Sequence, residues 1–77
     1  MEIEIITFGK IASFLKPQKL HVDEVSDTNG LQRYLEANFP ELAAVKYKLA
    51  LNKFVVQENS QLANNDVVAI MPPFSGG

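Results

Sequence analysis

The carboxyl end of the chain has residue types and spacing that suit a reactive tip. It reads Pro72-Pro73-Phe74-Ser75-Gly76-Gly77. Glycine has no Cβ to clash in a narrow channel, and proline holds φ near about −65° and favours an extended chain. These six residues can reach roughly 20 Å, at about 3.3 to 3.6 Å per residue. We expect a short stiff stalk that carries the Gly77 carboxylate into a pocket of another protein. The alternative is a frayed terminus, which Gly76-Gly77 taken alone favours and which the two prolines and the apolar run before them disfavour.

The other polar residues lack the spacing of a catalytic or metal site. His21 is the single histidine and the chain has no cysteine, so we interpret His21 as a solvated surface residue and not a metal ligand. Gly9 and Gly30 are isolated, without a phosphate-binding glycine motif, so the sequence indicates no glycine-rich loop for nucleotide phosphates. Carboxylates close in sequence are interpreted as a solvated face and not as a general acid and base: Glu2, Glu4, Asp23 and Glu24. The sequence predicts no metal site and no cofactor bound by this chain.

Composition restricts the class of protein. The 77 residues suit one domain. Hydrophobic residues make up 47% of the chain, too many for disorder, yet no apolar run is long enough to span a membrane. The net charge is −2 and the seven basic residues are scattered, which disfavours nucleic acid as a partner. Because the amino-terminal residues are acidic where a signal peptide would be basic, we expect a cytoplasmic location.

The first part of the chain predicts two strands joined through a helical turn. Residues 2–8 are β-branched and aromatic, which favours a strand that Gly9 ends. Lys10 to Leu15 can form a short helical turn, and Pro17 prevents its extension. Lys19 to Val25 alternates apolar and polar residues, which predicts a second strand that forms a hairpin with the first.

The clearest predicted element is a helix in the middle of the chain. Asp27 or Thr28 is a suitable N-cap, and Leu31, Leu35 and Phe39 recur every four residues to form one apolar stripe. Pro40 should stop this helix. A second short turn is expected at residues 41–45.

The last part of the chain predicts three more strands. Residues 48–51 and 54–56 flank the turn-like pair Asn52-Lys53. After another turn signal at residues 64–66, Val67 to Met71 is apolar nearly throughout, which favours a buried central strand. The predicted fold class is therefore α+β, a mixed sheet with one main helix packed on one face.

This order of elements resembles the ubiquitin-like β-grasp fold. More narrowly, Leu51-Asn52, residues 62–70 (LANNDVVAI) and Pro72 to Gly77 are similar to the small subunit of molybdopterin synthase, a family of sulfur carriers that commonly ends in Pro-Pro-x-x-Gly-Gly. The likeness covers essentially the whole chain. Two positions depart from the usual pattern: Met71 stands where an aromatic residue is frequent, and Asn65 where glycine is usual. The resemblance implies a single β-grasp domain over residues 1–77, of which 72–77 is a flexible functional tail.

The resemblance also implies a chemistry for the tip. In such proteins an ATP-dependent activating enzyme adenylates the terminal carboxylate, here that of Gly77, and sulfur then replaces AMP to give a thiocarboxylate. The large synthase subunit uses this sulfur in molybdenum cofactor biosynthesis. The chain itself would supply no catalytic residue, so whether it counts as an enzyme stays open; it would be the small subunit of a sulfurtransferase complex. The partners expected are the large subunit and the activating enzyme, with no nucleic acid and no membrane.

Matching the family's contact surface gives candidate docking positions. Apolar docking is implied for Phe8, Val55, Met71 and Phe74, and the tail adds Pro72, Pro73 and Ser75, while Gly76 and Gly77 form the reacting end. An ordinary core position remains an alternative, above all for Phe8 and Val55.

Two other functional interpretations share this fold. One is a carrier for another pathway, such as thiazole synthesis, or a ubiquitin-like modifier joined to lysines; the proline pair argues against the thiazole carrier. The other is a non-catalytic β-grasp interaction domain with an inert tail, which binds partners by an edge or face of the sheet.

Overall fold

Two parallel strands at the centre of the sheet organise the molecule. In the computed structural model, which describes residues 1–73, β1 (Glu2–Thr7) runs parallel to the strand Asp66–Met71. The antiparallel strand β2 (Gln18–His21) lies outside β1. That parallel partner is β5 (Asp66–Met71), which lies on the other side of β1. Beyond β5 lie β3 (Lys48–Leu51) and then β4 (Phe54–Val55) at the edge. The order is β2-β1-β5-β3-β4, a mixed five-stranded sheet.

Helices cover one face of this sheet. The main helix α1 (Thr28–Asn38) is followed by the short α2 (Pro40–Ala43), and a 3₁₀ helix (Gly9–Ser13) joins β1 to β2. Alternation along β1 turns Ile3 and Ile5 toward α1, where Leu31 and Leu35 are also fully buried. The predicted α+β class, with one main helix on a mixed sheet, is confirmed. No helix within residues 1–73 is long and apolar enough to cross a membrane.

The N-terminus of α1 is held by the aspartate that the sequence proposed as a cap. Asp27 Oδ1 accepts a hydrogen bond of 2.8 Å from the backbone N–H of Gly30, and Asp27 Oδ2 accepts one of 3.1 Å from Asn59 Nδ2. These two bonds, the one from Gly30 first, lower the pKa of Asp27. Because Asn59 belongs to the loop before β5, the cap also ties that loop to the helix.

Some of the observed element boundaries differ from those predicted from the sequence. β2 ends at His21 and not at Val25, because its partner strand β1 begins at Glu2, which is opposite His21; beyond that pair, Val22 N–H donates a hydrogen bond of 2.8 Å to the carbonyl oxygen of Met1. The turn predicted at residues 10–15 is the 3₁₀ helix at 9–13. The turn predicted at 41–45 is α2, which buries Leu42.

The connection between β3 and β4 consists of two residues with positive φ. Asn52 has φ 48° and Lys53 has φ 80°, so both residues of this two-residue connection are left-handed, as a type I′ hairpin requires. Asn52 also joins the turn to β5, since its Oδ1 accepts from Val67 N–H and its Nδ2 donates to Asp66 Oδ1, both at 3.0 Å. The hairpin is thus anchored to the central strand.

The Lys53→Gly variant tests this turn. Glycine adopts a positive φ without the steric cost that lysine bears, so we expect the free energy of unfolding to rise by about 0.5 to 1 kcal/mol. Lys46→Gly is the matched control, because Lys46 is not among the non-glycine residues with positive φ; it should lower stability by about 0.4 to 1 kcal/mol. Chemical denaturation measures both, and a destabilised Lys53→Gly variant would contradict the turn assignment.

Candidate functional site

The sheet face opposite α1 carries a continuous apolar surface. Strand register sets one row across four strands: Ile6 is opposite Ala69, Ala69 is opposite Ala50, and Ala50 is opposite Val55. Since side chains of paired residues point to the same face, this row lies together on the side away from the helix. We call the surface the exposed sheet face, and its apolar residues are Ile6, Phe8, Ala50, Val55, Val67, Ala69 and Met71.

Two alanines give the exposed sheet face a concave centre. Ala50 and Ala69 are cross-strand partners in the middle of the row, and larger side chains surround them. The result is an open depression of about 690 Å³. Glu4 and Lys53 are the charged residues that border it. A depression of this kind accepts an apolar side chain from another protein.

The structure places three of the predicted docking residues on this face. Phe8 is 49% exposed and Val55 is 43% exposed, while Met71 is half-buried. Phe8 and Val55 are therefore surface residues, and the alternative that they belong to the core does not hold. The reason is the two-residue period of a strand, which turns Thr7 inward and Phe8 outward.

The base of the tail lies at one end of the same surface. Phe8 N–H donates to the carbonyl oxygen of Ile70 at 3.2 Å, which brings Phe8 next to the end of β5. From there the chain continues into Pro72 and Pro73, both of which are exposed. The other predicted tail residues, Phe74, Ser75, Gly76 and Gly77, lie outside the described residues.

On the helix side, the base of the tail borders a shallow groove. Pro73 lines this groove together with Glu36, Lys46 and Tyr47. The Tyr47 hydroxyl donates a hydrogen bond to Glu36 Oε2 and so links the residue before β3 to α1. Burial, and next the hydrogen bond to Glu36, raise the pKa of Tyr47 far above its usual value. The phenol is therefore neutral at physiological pH and acts as a hydrogen-bond donor.

Of the histidine and carboxylates that the sequence singled out, Glu4 borders the depression and the others do not line it. His21 Nε2 is 2.9 Å from Asp23 Oδ1, and both side chains are largely exposed. Glu2 is opposite His21 and Glu4 is opposite Lys19 in the β1–β2 ladder. Within residues 1–73 no group of three or more histidine or carboxylate side chains is arranged to hold a metal ion.

Sequence reasoning missed the centre of the exposed sheet face. Ala50, Ala69 and Ile6 attract no notice by type, because alanine and isoleucine are ordinary core residues. The available signal is alternation: Val68 and Ile70 are fully buried, so their neighbours must point to the other face. Which residues then meet across strands depends on register, which a single sequence does not state.

A pair of identical substitutions tests the assignment of the two faces. Val68 is fully buried and Val55 is 43% exposed, so Val68→Ala should lower the free energy of unfolding by about 2 kcal/mol or more. Val55→Ala should lower it by less than about 1 kcal/mol. Thermal or urea unfolding of both variants measures the difference, and equal losses would show that Val55 is packed as tightly as the core.

Comparison with known proteins agrees with this geometry. The ThiS family model matches residues 5–77. A molybdopterin converting factor subunit 1 from Pyrococcus furiosus superposes with a TM-score of 0.82 at 14% identity, covering 95% of this chain and 98% of that one. Small archaeal modifier protein 1 of Haloferax volcanii superposes with a TM-score of 0.78 at 18% identity, covering 95% and 98%. At these identities the likeness shows the fold.

A third structure contains a partner. It is the complex of subunits 1 and 2 of the molybdopterin-converting factor from Helicobacter pylori, which matches with a TM-score of 0.68 and 28% identity over 100% of both chains. The family match covers nearly the whole sequence and includes both terminal glycines. The chain therefore belongs to the ThiS family.

Proposed function

We propose that this protein is the sulfur-carrier small subunit of a molybdopterin synthase. The observation that carries the proposal is the position of the tail base: Pro72 directly follows Met71, which ends the central strand β5 and lines the depression of the exposed sheet face. A docking surface next to a slim carboxyl-terminal segment suits a protein that delivers its end to a partner's active site. The family match, which runs to Gly77, and the H. pylori complex of two subunits support this assignment.

The proposed chemistry takes place on the Gly77 carboxylate and uses partner enzymes. One carboxylate oxygen attacks the α-phosphorus of ATP in the activating enzyme, and pyrophosphate leaves. The resulting mixed anhydride is an electrophile, so a sulfide nucleophile attacks its carbonyl carbon and AMP leaves with the C–O electron pair. The product is a thiocarboxylate, whose sulfur is the nucleophile delivered to the pterin precursor in the large subunit.

This chain contributes clearance, direction and docking. Gly76 and Gly77 have no side chains to obstruct a channel, and Pro72 and Pro73 reduce the conformational entropy that binding must remove. The exposed sheet face supplies apolar contact area close to the tail base. We assign it to the large subunit, with a partner side chain in the depression over Ala50 and Ala69.

A ubiquitin-like modifier is the second candidate. The superposition on small archaeal modifier protein 1 favours it, and in that case the activated Gly77 carbonyl would form an isopeptide bond with a lysine amine. Adenylation is common to both candidates. They differ in the nucleophile that displaces AMP, which is sulfide for the carrier and a lysine for the modifier.

A series of tip variants tests the proposed function. Removing Gly77, or adding one residue after it, should abolish sulfur transfer while the free energy of unfolding changes by less than about 1 kcal/mol. Gly76→Ala should slow adenylation and transfer, and Gly76→Val should slow them further, because the steric penalty in a channel grows with side-chain size. The measurement is the rate of each step at equal concentrations of folded protein. Undiminished sulfur transfer by the variant that lacks Gly77 would contradict the proposal.

A second set of variants tests docking on the exposed sheet face. Ala69→Leu fills the depression without adding charge, so binding to the cognate large subunit should weaken about tenfold or more, equivalent to roughly 1.4 kcal/mol. Met71→Asp and Phe74→Asp should weaken it as well. The matched control is Ala43→Leu, an exposed position in α2 on the other side of the molecule. Calorimetric titration beside a thermal melt decides, and unchanged affinity of Ala69→Leu would place the interface elsewhere.

A further inference from the structure

The corner at which β1 turns into the 3₁₀ helix has an unusual backbone. Gly9 has φ 61°, a conformation that residues with a side chain rarely adopt. The residues before it belong to the β1–β5 ladder, which ends with the hydrogen bond from Phe8 N–H to Ile70 O. Gly9 therefore lies at the end of the β1–β5 ladder, next to the point where β5 ends and the tail begins.

The space beside Gly9 is occupied by the first tail proline. A Cβ built on Gly9 would lie 3.0 Å from Pro72 Cγ and 3.5 Å from Pro72 Cδ, and the shorter distance is tighter than nine in ten Cβ contacts in proteins, so the proline ring would have to shift. Proline has no N–H and cannot extend the ladder. At the start of the tail, the chain is therefore held by the packing of the Pro72 ring beside Gly9 and not by a further hydrogen bond of the ladder.

We propose that Gly9 is a positioning residue for the tail: its missing side chain gives the Pro72 ring a seat that sets the direction in which residues 72–77 leave the sheet. For its activity readout the inference rests on the proposed function. A different chain direction at Pro72 would change where the reacting end is presented to the activating enzyme. Misplacement by about 1 Å can already cost up to 10²-fold in rate.

Backbone strain and the loss of the seat must be separated experimentally. Gly9→Ala introduces both, whereas Gly9→Asn keeps the added Cβ and tolerates a positive φ better. Asn65→Ala is the matched control for strain, since Asn65 has φ 71° and precedes β5 at the end away from the tail. Pro72→Ala removes the Cγ and Cδ atoms that the new Cβ would meet.

The first experiment is kinetic. We measure kcat/KM for adenylation by the activating enzyme, with ATP as substrate, at equal concentrations of folded protein. Gly9→Ala and Gly9→Asn should each lose about fivefold or more, and Asn65→Ala should keep the wild-type value. Adding Pro72→Ala to Gly9→Ala should recover part of the loss relative to Pro72→Ala alone. Losses equal to that of the Asn65→Ala control, or no coupling between positions 9 and 72, would overturn the proposal.

The second experiment needs no activity. Because the sequence has no cysteine, Ser75→Cys gives a single site for a nitroxide label, and paramagnetic broadening of backbone amides reports where the tail points. Gly9→Ala should change the set of broadened amides, whereas Asn65→Ala should not. An unchanged pattern would refute the seat. If the wild type is never adenylated, the proposed function fails, and this measurement alone still decides the role of Gly9.

Discussion

The parallel pairing of β1 with β5 is the interaction on which the rest of the structure depends. It pairs the first and the last of the described strands, from Ile3 opposite Asp66 to Thr7 opposite Ile70, so the other described strands and helices lie in the connection between them. Parallel neighbours cannot be joined by a tight turn, and the connection must cross one face of the sheet. The helix α1 makes that crossing and buries Leu31 and Leu35 against β1 and β5.

This pairing also determines where the base of the tail and the exposed sheet face lie. Parallel strands end at the same edge of the sheet, so the corner at Gly9 and the start of the tail at Pro72 are neighbours. Because α1 covers one face only, the other face of the two central strands remains available to a partner. The alanine pair formed by Ala50 and Ala69 makes that face concave within a short distance of the tail. The proposed docking surface and the proposed reacting tail are thus joined through one strand, β5.

Much of the fold could be predicted from local patterns, and the differences have physical causes. The stripe of Leu31 and Leu35 and the cap at Asp27 are local signals, and both are confirmed. The end of β2 at His21 was not predictable, since it depends on where β1 begins.

The site was predictable only in part. Phe8, Val55 and Met71 came from a family resemblance, and the structure shows that they share one surface. The position of Ala69 at the centre of the exposed sheet face follows from the register of three strands. The proximity of Gly9 and Pro72 brings together residues that are distant in sequence. Such long-range relations leave no signature in the spacing of residues.

The most direct measurement is the intact mass of the protein after incubation with its activating enzyme, ATP and a sulfide donor, followed by fragmentation of the carboxyl-terminal peptide. We predict that one sulfur replaces one oxygen and that the change maps to Gly77. An unmodified mass despite ATP consumption, or a branched peptide in which Gly77 is joined to a lysine, would contradict the sulfur-carrier function.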